Sequence, residues 1–286
     1  MHPLLLHNGR LIDTREKFLS PGQVGVLNGW GVFTTIRVYD GVMFAWQRHW
    51  DRMARDARKL SVPMPQPDEL EAQLQSLIDA NSAHNATLRV SIIRNRGGMF
   101  ETPGIESDYD IVAFTRDLTA WGESARLGIV PQARHAQCEF AGTKILSWAQ
   151  NLTWYERAKK QGLDEVVLLN ERNEVSECTS ANLFIVQNGR IYTPALVSSG
   201  CLGGITRDVI LNDLGLDIHE HVLLLADLTG ATEVFMTSTT REVMPVTYLE
   251  QFGNRPVGPV TLQVRDAFSK FARSYTESHK KAPLSA

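Results

Sequence analysis

Lys144 is the residue whose surroundings most suggest chemistry. It follows Gly142 and Thr143 and precedes the apolar residues Ile145 and Leu146, with no acidic residue within four positions. A lysine in partly apolar surroundings has a lowered pKa, so its amine becomes nucleophilic and condenses with carbonyl groups. Taken alone, this lysine is more simply explained as a solvent-directed side chain at the start of a helix, so other residues must support the catalytic interpretation.

Two segments rich in glycine and hydroxyl residues are suited to binding a phosphate. In CLGGITRDVIL, Gly203 and Gly204 precede Ile205 and Thr206 at a predicted helix N-terminus, where backbone N–H groups and a hydroxyl are available to an anion. In FMTSTTREV, four hydroxyl residues (237–240) end an apolar strand. Neither segment has the GxxxxGK[ST] pattern of a nucleoside triphosphate site. The alternative for the first segment is an ordinary turn before a helix. The alternative for the second is a set of exposed residues at the edge of a sheet.

An arginine pair and a separate carboxylate complete the set. Arg48 and Arg52 lie one helical turn apart in RHWDRM, and arginine is well suited to phosphate. Glu177 lies in EVSECTSANLF among apolar strands, where a turn carboxylate is the alternative. Pyridoxal 5'-phosphate (PLP) requires a Schiff-base lysine, phosphate donors and a carboxylate near its pyridine nitrogen. The joint presence of these features predicts a PLP site.

The same motifs resemble those of the class IV, or fold type IV, PLP enzymes. This family includes branched-chain aminotransferases, D-amino-acid aminotransferases and 4-amino-4-deoxychorismate lyases. The resemblance runs from NGR at Asn8 to REVMPV ending at Val246, and the motifs keep the family's order. The matching segments are GVFTTIRVYDG, HWDRM, GTK, DEVVLLNERNEVSECTSANLF, GGITRDVI and EVFMTSTTREVMPV.

The resemblance implies a role for each matching residue. Lys144 is expected to form the Schiff base and to shuttle protons, and Glu177 to pair with the pyridine nitrogen. Arg52, rather than Arg48, matches the phosphate-binding arginine of the family's H-x-x-R motif. The other expected phosphate contacts are Ile205, Thr206 and Thr239, with Thr240 close by.

The substrate side departs from every subfamily. The tyrosine that branched-chain aminotransferases carry five residues after the lysine is Ala149 here, and their FEGIR reads FTTIR, as in the lyases. TSTT and GITRDV resemble the D-amino-acid aminotransferases instead. Candidate carboxylate ligands are Arg37, on one strand face with Thr35, and the arginines beside the RGGMFETPG loop. The full substrate-binding set is Asn28, Trp30, Thr35, Arg37, Arg94 and Arg96.

The composition is that of an ordinary globular protein. Of its 286 residues 43% are apolar and 21% charged, and the net charge of −3 favours neither nucleic acid nor an anionic membrane. No apolar run approaches the roughly 20 residues of a membrane span or forms a signal-peptide core. Three cysteines without CxxC spacing fit reduced thiols, and HEH at His219–His221 lacks a third metal ligand. We expect a soluble cytoplasmic enzyme with no metal.

The hydrophobic pattern predicts mixed helices and strands in two domains. A hairpin is expected at Asp40–Gly41, and a helix from Ser147 to Gln161. The residue boundaries are 1–118 for a first domain, 119–124 for a linker and 125–286 for a second domain. With the resemblance, the fold class is α+β: a small N-terminal α+β domain and a larger pseudo-barrel C-terminal domain that binds PLP, in a homodimer.

The predicted activity is transfer of an amino group between an amino acid or amine and a 2-oxo acid. The alternative is a lyase that converts aminodeoxychorismate to 4-aminobenzoate and pyruvate with the same lysine as acid and base. A PLP carrier or catalytically silent relative is a third possibility, and the intact set of Lys144, Glu177 and Arg52 argues against it.

Overall fold

The computed structural model describes residues 1–99 and 105–280, which separate into two compact units. Unit 1 contains Met1–Thr119, Lys144–Trp148 and the C-terminal part from Arg273, whereas unit 2 contains Ala120–Thr143 and Ala149–Ala272. The boundaries expected from the sequence place all residues after 124 in one domain. The Lys144–Trp148 segment and the residues from Arg273 group with unit 1 instead. The local sequence pattern around Lys144 does not predict this grouping.

Unit 1 is an antiparallel six-stranded sheet with two long helices. Its strands follow the order β2-β1-β6-β5-β3-β4. The elements are β1 (Leu4–His7), β2 (Arg10–Asp13), α1 (Val24–Asn28), β3 (Gly31–Tyr39), β4 (Val42–Met43), α2 (Trp46–Lys59), α3 (Pro67–Ala80), β5 (Ala86–Arg94) and β6 (Tyr109–Arg116).

The core of unit 1 lies on one face of this sheet. Alternate residues of β3, including Val32 and Ile36, pack with Met53 of α2 and Leu74 of α3. Because strand side chains alternate between faces, Phe33 and Thr35 point to the opposite face of β3. The hairpin between β3 and β4 turns at Asp40–Gly41, both with positive φ, as the sequence predicted.

Unit 2 is built on a nine-stranded mixed sheet. The main path runs β12-β11-β10-β13-β14-β7-β8-β9, and β15 pairs with β14. The elements are β7 (Ala125–Arg134), α4 (Ala149–Lys160), β8 (Glu165–Asn170), β9 (Val175–Cys178), β10 (Asn182–Gln187), β11 (Arg190–Pro194), α5 (Leu196–Ser199), α6 (Ile205–Asn212), β12 (Ile218–His221), α7 (Leu225–Gly230), β13 (Glu233–Ser238), β14 (Glu242–Leu249), β15 (Gly253–Asn254) and α8 (Pro259–His279), whose residues from Arg273 belong to unit 1.

Parallel pairing explains why the strands of unit 2 read as continuous apolar runs. Strand β7 pairs in parallel with both β8 and β14, and all six residues of β8 are buried. Strands covered on both faces have no polar side to produce alternation. Among the described residues, no helix is both long and apolar enough to cross a membrane.

Candidate active site

The Lys144 segment is an extended strand-like piece of chain beside the start of β3. The Lys144 carbonyl accepts the Phe33 N–H at 3.1 Å, Ile145 forms an antiparallel bridge with Val32, and the Leu146 N–H donates to the Gly31 carbonyl at 3.0 Å. The predicted helix therefore begins at Ala149 rather than Ser147. Pairing with a strand more than a hundred residues earlier overrides the local helical pattern.

The Lys144 side chain is held among aromatic rings. Its Nζ lies 4.5 Å from the ring centroid of Phe33 and 5.7 Å from that of Trp148. The two rings contact each other edge to face, with centroids 5.8 Å apart. The amine thus occupies the partly apolar setting that a nucleophilic lysine requires.

Arg52 is a buried cation on helix α2. Only 7% of it is exposed, and its Nη2 donates to Thr34 Oγ1 at 2.9 Å. Burial lowers the pKa of Arg52 to about 10, partly opposed by the charge of Asp56, so the guanidinium stays protonated at neutral pH. Burying a cation is costly, and a bound phosphate would offset that cost.

His49 completes a buried cluster with Thr34 and Arg52. Its Nδ1 lies 2.6 Å from Thr34 Oγ1. Burial first, and then the charges of Arg52 and Lys144, lowers the pKa of His49 well below its ordinary value. Thr34 Oγ1 therefore contacts both side chains, accepting a hydrogen bond from Arg52 and sharing one with the imidazole. The cluster fixes the direction of Arg52 without adding a second positive charge.

Arg89 of β5 lies against the same aromatic ring as the lysine. Thr35 and Arg89 are paired in register, and the Arg89 Cζ is 3.8 Å from the Phe33 ring centroid. Burial, and then the charge of Arg116, lowers the pKa of Arg89. Across the described ranges, no carboxylate forms an ion pair with this half-buried guanidinium. No sequence pattern singles out Arg89, because its proximity to Lys144 arises from strand pairing.

The predicted substrate arginines are engaged elsewhere in unit 1. The Arg37 guanidinium donates to the backbone carbonyls of Val38 and Ala86 and lies over the Tyr39 ring. Arg94 donates to the carbonyls of Arg96 and Ser61.

The remaining predicted substrate residues lie around the same segment of unit 1. Arg94 lies over the ring of Trp30, whose indole N–H donates to the Leu60 carbonyl. Arg96 pairs with Asp108 at 3.5 Å at the surface, and the Asn28 side chain donates to the Val24 carbonyl. Residues 100–104 of the RGGMFETPG loop lie outside the described residues.

Glu177 in unit 2 is a buried carboxylate with two fixed donors. Arg134 Nε donates to its Oε1 at 3.1 Å, and the Leu202 N–H donates to its Oε2 at 3.2 Å. Arg134 is itself held by Asn151 Oδ1 at 3.2 Å. A carboxylate oxygen can accept more than one hydrogen bond, and each oxygen of Glu177 accepts one of the two just named. Glu177 can therefore accept a further donor, such as a protonated ring nitrogen.

The Gly203–Gly204 turn presents the N-terminus of α6, as predicted. The helix begins at Ile205, with Gly204 as its N-cap, and no side chain of the described residues caps it. A Cβ on Gly204 would lie 2.1 Å from Asn182 Oδ1, and the Asn182 amide donates to the Leu202 carbonyl at 2.7 Å. Glycine is therefore required here. The N–H groups of a first helical turn have no acceptor within the helix, so they are suited to an anion.

The hydroxyl residues after β13 lie at the same end of the sheet as the turn before α6. Asn182, which holds the turn before α6, is paired in register with Thr237 of β13. The strand ends at Ser238, and Thr239 and Thr240 form a half-buried turn. Among the described residues, Thr237 Oγ1 is buried without a hydrogen-bond partner. Unit 2 thus brings an acceptor, a helix N-terminus and a hydroxyl turn into one region.

Comparison with known proteins supplies the family. The family model for amino-transferase class IV matches residues 31–249. The chain belongs to the class IV aminotransferase family. It is 30% identical to the D-alanine aminotransferase of Staphylococcus haemolyticus over 281 residues, covering 93% of this chain and 97% of that protein. It is also 30% identical to the branched-chain-amino-acid aminotransferase of Escherichia coli (strain K12) over 296 residues, covering 94% and 93%.

A solved class IV structure has the same fold. A branched-chain amino acid aminotransferase from T.th., determined with pyridoxamine 5'-phosphate, matches with a TM-score of 0.86 at 25% identity, covering 97% of each chain. The predicted fold type IV class is thereby confirmed, and so is the prediction that the chain is an enzyme of this aminotransferase family. Sequence patterns did not single out Arg89 and Asp56 in unit 1, or Arg134 in unit 2.

Proposed function

We propose that this class IV aminotransferase transfers amino groups between an amino acid and a 2-oxo acid, with PLP attached to Lys144. The observation that carries the proposal is the clamped, aromatic setting of the Lys144 amine within unit 1. The relatives reported above are aminotransferases, which favours transfer over the lyase reaction. The T.th. structure with pyridoxamine 5'-phosphate supports the choice of cofactor.

The donor and acceptor sets in each unit fit PLP. In unit 1, Lys144 would provide the covalent attachment and Arg52 a phosphate ligand. In unit 2, Glu177 would accept the pyridine N–H, and the phosphate ligands would be Ile205, Thr206, Thr239 and Thr240. The buried guanidinium of Arg52 is suited to binding an anion. The buried Thr237 hydroxyl has no hydrogen-bond partner among the described residues, as expected of a region that binds a polar ligand.

The chain's own groups then perform the acid–base work. When bound, PLP supplies an aldehyde that condenses with amines and a ring that withdraws electrons from the substrate carbon. Lys144 would hold PLP through Nζ, and its amine, when free, would accept and donate the protons that move during transfer. Glu177, oriented by Arg134, would accept the N–H of the ring and so keep it protonated. Phe33 and Trp148 would give the amine an apolar surface on one side.

The substrate class follows from the cation beside Phe33. Arg89 and Lys144 both lie against this ring, at 3.8 Å and 4.5 Å from its centroid. A substrate whose amino group reaches Lys144 and whose carboxylate reaches Arg89 is an amino acid. We therefore assign carboxylate binding to Arg89, in preference to Arg37, whose Nη1 donates to two backbone carbonyls and whose guanidinium lies over the Tyr39 ring.

Replacing Arg89 tests this assignment. In Arg89→Met, we expect KM for amino acids and 2-oxo acids to rise about 10- to 100-fold, because a charge-assisted hydrogen bond to the carboxylate is lost. Reaction with amines that lack a carboxylate should be unchanged. Steady-state kinetics with both substrate classes measure the effect, and Arg37→Met is the matched control. If Arg37→Met raises KM and Arg89→Met does not, the assignment is reversed.

The proposed reaction is tested by its two half-reactions. Purified protein loaded with PLP is mixed with single L- and D-amino acids, and the visible absorption of lysine-bound PLP is followed. At least one amino acid should remove this absorption and yield its 2-oxo acid, and a second 2-oxo acid should restore it. If no amino acid changes the spectrum while aminodeoxychorismate gives 4-aminobenzoate and pyruvate, the protein is the lyase.

Assembly and location stay predictions. We propose a cytoplasmic homodimer, as the family resemblance implies. The three cysteines are free thiols in the structure, which agrees with a reducing compartment. Burial raises the pKa of Cys201 to about 11, so this thiol is protonated and unreactive at neutral pH.

A further inference from the structure

We propose that Asp56 is a positioning residue that anchors the backbone of Lys144 to helix α2. The inference rests on the proposed attachment of PLP to Lys144. Asp56 lies one helical turn after Arg52 and is only 1% exposed. Its Oδ2 accepts the backbone N–H of Lys144 at 2.9 Å. It is the acidic neighbour that the sequence around Lys144 lacks.

The hydrogen bond completes the attachment of the lysine segment. The Lys144 carbonyl and the Leu146 N–H are both paired with β3. The Lys144 N–H is directed instead to α2, where Asp56 accepts it. The residue that would carry PLP is therefore fixed from two elements, the sheet through its carbonyl and the helix through its N–H. Such fixing reduces the conformational freedom that covalent attachment of a cofactor must otherwise remove.

The Asp56 carboxylate is itself held in place for this contact. Its Oδ1 accepts two hydrogen bonds from Arg55, at 2.9 Å and 2.7 Å. Its Oδ2 is the atom that accepts the Lys144 N–H. A buried carboxylate is costly unless it is paired and hydrogen-bonded, and these contacts meet that condition while fixing its direction.

Two substitutions test the anchor. Asp56→Ala removes the acceptor, while Asp56→Asn keeps an acceptor for the Lys144 N–H. The matched control is Asp51→Ala, because Asp51 lies exposed on the same helix, where it accepts a hydrogen bond from Gln47. Two readouts apply to the full chain: amide exchange of Lys144 without cofactor, and equilibrium binding of PLP and of pyridoxal, which lacks the phosphate.

The proposal predicts a distinct result for each variant. In Asp56→Ala, the Lys144 amide should exchange at least about 10-fold faster, and affinity for both PLP and pyridoxal should fall about 10-fold. In Asp56→Asn, the amide should stay protected, and both affinities should stay close to those of the unmodified protein. Asp51→Ala should match the unmodified protein. Amide exchange of α3 checks that Asp56→Ala is folded; if it is not, Asp56→Leu, which is closer in size to aspartate and also lacks an acceptor, takes its place.

Two outcomes would overturn the inference. One is unchanged exchange of the Lys144 amide in the folded variant without an acceptor, Asp56→Ala or Asp56→Leu. The other is unchanged affinity of that variant for both PLP and pyridoxal, because an anchor that fixes the lysine must affect the attachment of either aldehyde. Failure of the proposed function is distinguishable, because the unmodified protein would then not bind PLP covalently, while the amide exchange experiment would still report on the anchor.

Discussion

Lys144→Ala is expected to abolish amino transfer, with a fall of about 10³-fold or more, because the variant lacks both the covalent attachment for PLP and the proton carrier. The visible absorption of lysine-bound PLP should be absent as well. The fold should persist, because the contacts of this segment with β3 and Asp56 use backbone atoms that alanine retains. Turnover, absorption spectra and thermal unfolding measure the three effects.

Lys159→Ala is the matched control for this experiment. Lys159 is exposed on α4 and pairs with Asp164 at 2.8 Å, so its removal should leave turnover and the absorption spectrum unchanged. Retention of turnover and of the absorption band by Lys144→Ala would contradict the assignment of the lysine.

Glu177→Gln is expected to have the second-largest effect, a fall in turnover of roughly 10²- to 10³-fold. A neutral amide would not keep the ring nitrogen of PLP protonated, so the ring would withdraw electron density from the substrate carbon less strongly. PLP should still attach to Lys144, since the substitution leaves that segment untouched. The split between retained absorption and lost turnover is the signature of this role.

Two further variants make the Glu177 experiment decisive. Glu177→Asp keeps the charge and should restore part of the turnover. Glu156→Gln removes an exposed carboxylate that pairs with Lys160, and it should behave like the unmodified protein. Wild-type turnover in Glu177→Gln would show that the carboxylate does not act on the ring nitrogen.

Local patterns predicted the elements that carry the site. The Asp40–Gly41 pair predicted the hairpin between β3 and β4, and the RHWDRM segment was expected to place Arg48 and Arg52 one helical turn apart, as they lie on α2. The Gly203–Gly204 pair predicted the start of α6. The structure shows why a glycine lies there, since a side chain at Gly204 would collide with Asn182. These features depend on neighbours in sequence and are readable from it.

Features that depend on distant neighbours were not predicted. The Lys144 segment is extended rather than the start of a helix because it pairs with β3. Arg89 meets Phe33 only through the register of β5 on β3, and Arg134 meets Glu177 at the end of β7. Asp56 reads as one charge among many on a polar helix face, although it is buried and bonded to Lys144. Strand register and helix docking decide these contacts.

The most direct measurement of the central claim is peptide mapping after borohydride reduction of the PLP-loaded protein. Reduction fixes PLP to the amine that carries it, and mass spectrometry of the digested chain locates the modified residue. The expected result is modification of Lys144, in the peptide around GTKILSW. Modification of a different lysine, or no modified peptide from protein that shows the visible absorption band, would contradict it.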